Sequence, residues 1–209
     1  MCIRDSHIIN PLRSNYVSEK VDLKNKNVID VACGGGLLVE ALHNFGANVT
    51  GIDISDVAIN TAQIHAKKTN CDVTYINGEA EELLPEKKEA FDVVTCLEAI
   101  EHVPDPQQLV KTCSDLCKPG GTIVFSTINR NPKSFLFAII GAEYILNLLP
   151  KGTHEFKKFI KPSELSNMMR NSNLEVKEII GMSYNPLTKK YWLGKDVDVN
   201  YLIHAEKSK

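Results

Sequence analysis

No Cys-x-x-Cys pair occurs among the six cysteines (Cys2, Cys33, Cys71, Cys96, Cys113 and Cys117), and they are too scattered to form a secreted disulfide scaffold. We read them as reduced thiols in a cytoplasm-like compartment. No apolar run reaches the roughly 20 residues that span a bilayer, and no signal or transit peptide is read at the start. Neither sign of charge dominates: 24 basic against 26 acidic residues leave a formal net charge of -2. A general nucleic-acid binder would carry a basic excess, so no nucleic-acid partner is expected. Repeats and low-complexity tracts are absent as well. What remains is a chain of 209 residues, 43% hydrophobic and 24% charged, ordinary for one globular domain with a real core. The opening MCIRDSHIINPLRSNY has no convincing periodicity, and the chain is expected to begin inside a longer protein, with its N-terminus truncated.

Five short apolar runs alternate with helical patterns through the first two thirds of the chain, which predicts βαβ units and a parallel sheet covered on both faces. Strands are expected over residues 27–32, 48–53, 73–76, 91–96 and 122–127. Between them Leu38, Ala41, Leu42 and Phe45 fall at helical spacing before Gly46, and Ser55 caps a helix running to about Lys68. Asp105 and Pro106 start a further helix with Leu109, Val110, Cys113, Leu116 and Cys117 as its buried stripe. A short helix over 162–171 and two closing strands, LEVKEIIGM and VDVNYLIHA, complete the pattern. The expected fold class is α/β: a Rossmann-like, mostly parallel seven-stranded sheet with an antiparallel edge strand, in one domain over residues 1–209.

Ligands of open α/β sheets bind at the carboxyl ends of the strands, so residues 32–36, the end of the second strand and the stretch after the fourth border one crevice. Val39 stands where a dinucleotide fingerprint wants its third small residue after Gly34 and Gly36, which weakens a nicotinamide-dependent oxidoreductase reading. Asp30 precedes the loop and no lysine or arginine lies in it. Such a loop suits a pyrophosphate poorly, but it accepts a ligand bearing ammonium and sulfonium charges, and S-adenosylmethionine is such a ligand. Asp53 is placed to accept hydrogen bonds from both hydroxyls of a ribose. The plainer alternatives are a turn made with Ser55 and Asp56, and glycines that merely permit tight packing.

DVACGGG, GIDIS, NGEAEEL, FDVVTCLEAIEHVPDP and KPGGTIVFST follow one another as in the class I S-adenosylmethionine-dependent methyltransferases. With NPLR, STINRNPKSF, GAEYIL, PKGTHEFKKFIKP and YNPLTKKYWLGKDVDVNYLIHA added, the chain from about Ile8 onward resembles the ubiquinone-biosynthesis O-methyltransferase family. The resemblance implies transfer of a methyl group from S-adenosylmethionine to a phenolic hydroxyl of polyprenyl catechols, 2-polyprenyl-6-hydroxyphenol and 3-demethylubiquinol. It implies that Arg13, Ala32, Asp53 and Leu97 hold the donor, with Gly34 in the same loop; Ala32 stands where the family commonly has glycine. The core motifs alone leave C-methylation of a quinone ring open, and a non-catalytic nucleoside-binding or membrane-associated subunit remains the reading from outside enzymology.

The stretch TCLEAIEHVPDP sets Glu98, Glu101 and His102 at the end of an apolar strand, at i, i+3 and i+4. On a helical turn the three share one face. A catechol hydroxyl is mostly protonated near neutral pH, as a tyrosine is. Two remedies exist: His102 takes the proton as a general base, or Glu98, Glu101 and His102 bind a divalent cation such as magnesium that holds both catechol oxygens. The metal-dependent members of the resembled family match these positions. His43, His65 and His204 are expected at surface or packing positions, and His154 beside the acceptor. The segment SFLFAIIGAEYILNLLP, followed by Lys151, Lys157, Lys158 and Lys161, suits an acceptor-side insertion over 130–161 in contact with an anionic membrane. For a lipid substrate this implies a cytoplasmic protein held peripherally on the cytoplasmic face of a bacterial-type inner membrane, in company with other ubiquinone-biosynthesis enzymes.

Overall fold

The computed structural model describes residues 3–131, 158–185, 188 and 190–209. Its strands are β1 (Asn27–Val31), β2 (Asn48–Asp53), β3 (Thr74–Asn77), β4 (Phe91–Leu97), β5 (Cys117–Ile128), β6 (Leu174–Asn185), β7 (Lys190–Gly194) and β8 (Asn200–Lys207). They form one sheet in the order β3-β2-β1-β4-β5-β8-β6-β7. The first five are parallel throughout. β8 runs antiparallel to both β5 and β6, and β7 runs antiparallel to β6 at the edge. The Rossmann-like expectation holds, with one strand more than the seven foreseen. β7 reads KYWLG, and three apolar residues in succession give no alternation by which to recognise a short edge strand.

The helices are α1 (Ile3–Lys20), α2 (Leu37–Asn44), α3 (Asp56–Thr69), α4 (Leu84–Lys87), α5 (Pro106–Leu116) and α6 (Pro162–Arg170). Two of the expected caps form as read: Ser55 Oγ accepts the Ala58 N–H at 3.3 Å and Asp105 Oδ1 accepts the Gln108 N–H at 3.0 Å. α1 is the departure from the expectation of no regular element near the start. Ile9, Arg13, Tyr16 and Val17 are buried along one helical face, but a charged residue inside that stripe and Pro11 within the helix hide the period in the sequence.

Alternation along the strands divides the core into two apolar clusters. Val93, Val124 and Leu202 pack with Ile9, Tyr16, Leu42 and Ile59 on the face of α1, α2 and α3. Val94, Phe125 and Ile203 pack with Val110, Leu116, Leu165 and Met169 on the face of α5 and α6. The same alternation decides where the polar residues at the carboxyl ends of the strands point.

Near that edge the chain leaves the sheet after β5 and returns to it. Asn129 N–H donates to Val199 O at 2.8 Å, Ile160 N–H to Ile128 O at 3.1 Å, and Tyr201 Oη to Ile160 O at 2.8 Å. Arg130 pairs with Glu164 in the first turn of α6. The apolar segment SFLFAIIGAEYILNLLP, His154, Lys151 and Lys157 lie outside the described residues.

Candidate active site

The glycine-loop side of the site is built where β1 ends. Asp30 is buried and accepts the Thr95 hydroxyl at 2.6 Å. Burial pushes its carboxyl up to about 7, against the lowering influence of Thr95 and of the Arg13 charge. Beyond β1 the backbone turns left-handed at Ala32 (φ 59), Gly34 (φ 53) and Gly36 (φ 79). Gly36 admits no side chain, because a Cβ there would lie 2.1 Å from Tyr75 Oη. Ala32 is exposed and adopts a conformation that costs a non-glycine residue roughly 1–2 kcal/mol.

One carboxylate ties this loop to β2. Asp53 Oδ2 accepts the Gly34 N–H at 2.8 Å while Oδ1 accepts the Ser55 N–H at 2.9 Å. The turn role foreseen for Asp53 is therefore real, and the same side chain also fixes the glycine loop. Its position between the two loops leaves it at the carboxyl edge of the sheet, half-buried.

α1 contributes the cation that the loop lacks. Arg13 is 7% exposed, and its Nη2 lies 2.8 Å from Glu98 Oε1. The alignment is that of an ion pair: Arg13 Nε and Nη2 make no hydrogen bond among the described residues. The same Glu98 oxygen accepts Ser126 Oγ at 2.9 Å and Asn200 Nδ2 at 2.9 Å. A charge from α1 and donors from β5 and β8 thus converge on one carboxylate oxygen just beyond Leu97, the half-buried last residue of β4. Glu98 itself is left-handed, with φ 57, and donates its N–H to Ser126 O at 3.0 Å.

That backbone breaks the helical turn expected over residues 98–102. Glu101 goes inward, 3% exposed, where its Oε2 accepts Thr127 Oγ1 at 2.8 Å and its Oε1 has no hydrogen-bond partner among the described residues. Burial, and then the negative charge of Glu98, push the Glu101 carboxyl up to about 8. His102 goes outward; it is exposed, and its N–H closes a turn on Ala99 O at 2.9 Å. Ser126 and Thr127 are successive residues of β5 and face opposite sides of the sheet, so they hold the two carboxylates apart. Among the described residues no three His, Cys, Asp or Glu side chains gather closely enough to hold a metal ion. The helical turn that would set Glu98, Glu101 and His102 on one face does not form here, because Glu98 takes a left-handed backbone.

Thr95, Ser126, Thr127 and Asn200 escaped the sequence reading, although each holds one of the acidic groups. The available signal was polar residues at the ends of otherwise apolar strands, in FST near the close of β5 and in DVNY at the start of β8. His43 is half-buried, His65 is exposed and lies 2.7 Å from Glu40, and His204 is buried, so none of these three histidines joins the site.

A family model described as a methyltransferase domain matches residues 29–125. The chain is 57% identical over 201 residues to the ubiquinone biosynthesis O-methyltransferase of Marinobacter nauticus, covering 95% of this chain and 84% of that protein. It is 58% identical over 199 residues to the protein of the same description from Pseudomonas entomophila, covering 95% and 86%. Among solved structures, magnesium protoporphyrin IX methyltransferase from Synechocystis PCC 6803 with bound SAH superposes at a TM-score of 0.73 over 99% of this chain and 85% of its own, at 18% identity. That likeness is one of fold, and the close sequence relatives supply the family. The chain belongs to the ubiquinone biosynthesis O-methyltransferase family.

Proposed function

We propose that this protein transfers the methyl group of S-adenosylmethionine to a phenolic oxygen of a polyprenylated catechol. The observation that carries the reading is identity of 54% to 58% with O-methyltransferases of ubiquinone biosynthesis over about 95% of the chain. The geometry agrees with it. Asp53 stands where a ribose can be held, Arg13 offers guanidinium donors to the donor's carboxylate, and Leu97 with the loop from Ala32 to Gly34 closes the space between them. Asp30 and Asp53 beside the loop favour a cationic ligand.

Transfer is an in-line displacement: the bond from methyl carbon to sulfur breaks, its electron pair stays on the sulfur as a neutral thioether, and the phenolic oxygen forms the new bond to carbon. The phenolic proton goes to His102, the exposed imidazole on the β4–α5 loop. Glu101 positions that imidazole by anchoring the turn through Thr127. A divalent cation would supply charge to lower the proton affinity of the catechol oxygens, but among the described residues no three His, Cys, Asp or Glu side chains gather to hold one.

The apolar segment SFLFAIIGAEYILNLLP with the lysines after it supports a peripheral membrane contact that gives a lipid headgroup access to the crevice, since the chain leaves the sheet after Ile128 and returns beside it at Ile160. Among the described residues no helix is long and apolar enough to cross a membrane. Retention by vesicles of anionic lipid, lost when the stretch is made polar, is the expected result.

The reaction is tested with labelled S-adenosylmethionine and a short-chain polyprenyl catechol, with and without chelator. Donor-dependent product that is indifferent to chelator is expected. Activity abolished by chelator and restored by magnesium returns the carboxylates to a cation, and turnover of a nicotinamide cofactor without methyl transfer overturns the reading.

A further inference from the structure

Asn200 opens β8 opposite Ile128, at the carboxyl end of β5, on the side of Glu98 away from the glycine loop. Its amide orientation is fixed by chemistry: the group facing Glu98 Oε1 at 2.9 Å has to be the donor Nδ2, because a carbonyl there would meet a carboxylate oxygen already charged against Arg13. The carbonyl Oδ1 therefore points the other way, and it is buried with no hydrogen-bond partner among the described residues. A buried amide oxygen left without a donor costs about 1–3 kcal/mol, a cost that a ligand hydroxyl removes.

We infer that Asn200 binds the acceptor, its Oδ1 accepting a hydrogen bond from the catechol hydroxyl next to the one that is methylated. The inference rests on the O-methylation reading and adds to it a residue that selects for a vicinal diol. Three features of the place agree. It lies between the donor side, marked by Arg13 and Leu97, and the stretch where the chain leaves β5 at Asn129. A hydroxyl is the donor that a lone carbonyl requires, whereas a methoxy or quinone oxygen offers none. Glu98, whose Oε1 accepts hydrogen bonds from Ser126 and Asn200 and lies against the Arg13 charge, holds the amide still, so the carbonyl is set in place before the acceptor arrives.

The assignment makes Asn200 a specificity residue, and the test reads specificity. Two short-chain polyprenyl acceptors are compared, a catechol and the matching phenol in which the neighbouring hydroxyl is replaced by hydrogen. The wild-type protein is expected to prefer the catechol by about tenfold in kcat/KM, the size of one hydrogen bond. Asn200→Ala is expected to reduce that preference to within about twofold, with S-adenosylmethionine affinity, measured by calorimetry, unchanged. Ser126→Ala removes a different donor from the same Glu98 oxygen and leaves the Asn200 carbonyl in place; it is expected to keep the preference whatever its rate.

Persistence of the preference in Asn200→Ala overturns the assignment. So does a loss of donor affinity in step with it, which would make Asn200 only a support for Glu98. If the variant does not fold, the wild-type comparison still decides: equal methylation of both acceptors removes the role of Asn200 while leaving the reaction intact. Methylation of neither removes the reaction itself.

Discussion

Arg13 and Glu98 stand far apart in the chain and 2.8 Å apart in space, joining the helix before the sheet to the loop after its fourth strand. The pair buries a guanidinium inside the apolar stripe of α1, a placement that needs a partner on the far side. On the proposed reading the carboxylate of S-adenosylmethionine competes for the same cation. Arg13→Ala is expected to weaken S-adenosylmethionine binding tenfold or more, with Arg13→Lys intermediate because an ammonium keeps charge but not the planar fork. Calorimetric titration of the donor checks it, and unchanged affinity would remove Arg13 from the site.

Ala32 holds a left-handed backbone, φ 59, with its methyl exposed. Replacing it by glycine removes the steric cost but adds freedom to the unfolded chain, so Ala32→Gly is expected to stabilise the fold by about 0.5–1 kcal/mol. The urea midpoint should rise at constant slope. Donor affinity is expected to stay within about twofold, since the loop presents backbone to the ligand in both forms.

These two residues also show how much was legible in advance. The parallel core, the caps Ser55 and Asp105 and the Asp53 turn all follow from local signals: alternation, glycine turns, and side chains that hydrogen-bond a nearby backbone. α1 was hidden because Arg13 occupies a core position, and only the fold supplies its partner Glu98. The helical turn assumed for Glu98, Glu101 and His102 is absent for a related reason. Spacing of three and four residues implies a shared face only on a helix, and whether Glu98 takes helical or left-handed backbone is decided by its bond to Ser126 on another strand. Asn200 carries no sequence signal beyond being polar beside an apolar strand.

Glu101 and Asp30 bind their protons more tightly folded than unfolded, with carboxyls raised to about 8 and about 7 against ordinary values of 4.5 and 3.8. For a raised acid the folded form holds the extra proton between the two values, so its contribution to stability is best on the acid side and declines as pH climbs through the window. Glu101→Gln keeps the buried group neutral throughout. From pH 5 to 8 the variant's stability is expected to fall less steeply than that of the wild type, as read from urea midpoints at each pH. Parallel pH profiles would contradict the raised Glu101.

Asp53 accepts two backbone N–H groups, and on the proposed reading it also holds the donor's ribose. Asp53→Ala therefore loses both a loop tie and a ligand contact. Donor affinity is expected to drop by about 10–100-fold, as for charged hydrogen bonds, with a stability loss of about 1–2 kcal/mol. A stability loss without any change in donor affinity would restrict Asp53 to the turn.

The exposed His102 beside buried Glu101 gives a separable pair. His102→Ala is expected to lower kcat by about 10²–10⁴-fold near neutral pH, with recovery as pH rises and the catechol ionises unaided. Melting temperature should change little, because the side chain is exposed. A pH-independent loss would assign His102 to binding.

The most direct measurement transfers a 13C-labelled methyl group from S-adenosylmethionine to a short-chain polyprenyl catechol and locates the label by NMR. A methoxy carbon on the phenolic oxygen, formed only with donor and enzyme together, is the result expected. A label on ring carbon, or no transfer from a folded protein that binds the donor, contradicts O-methylation at this site.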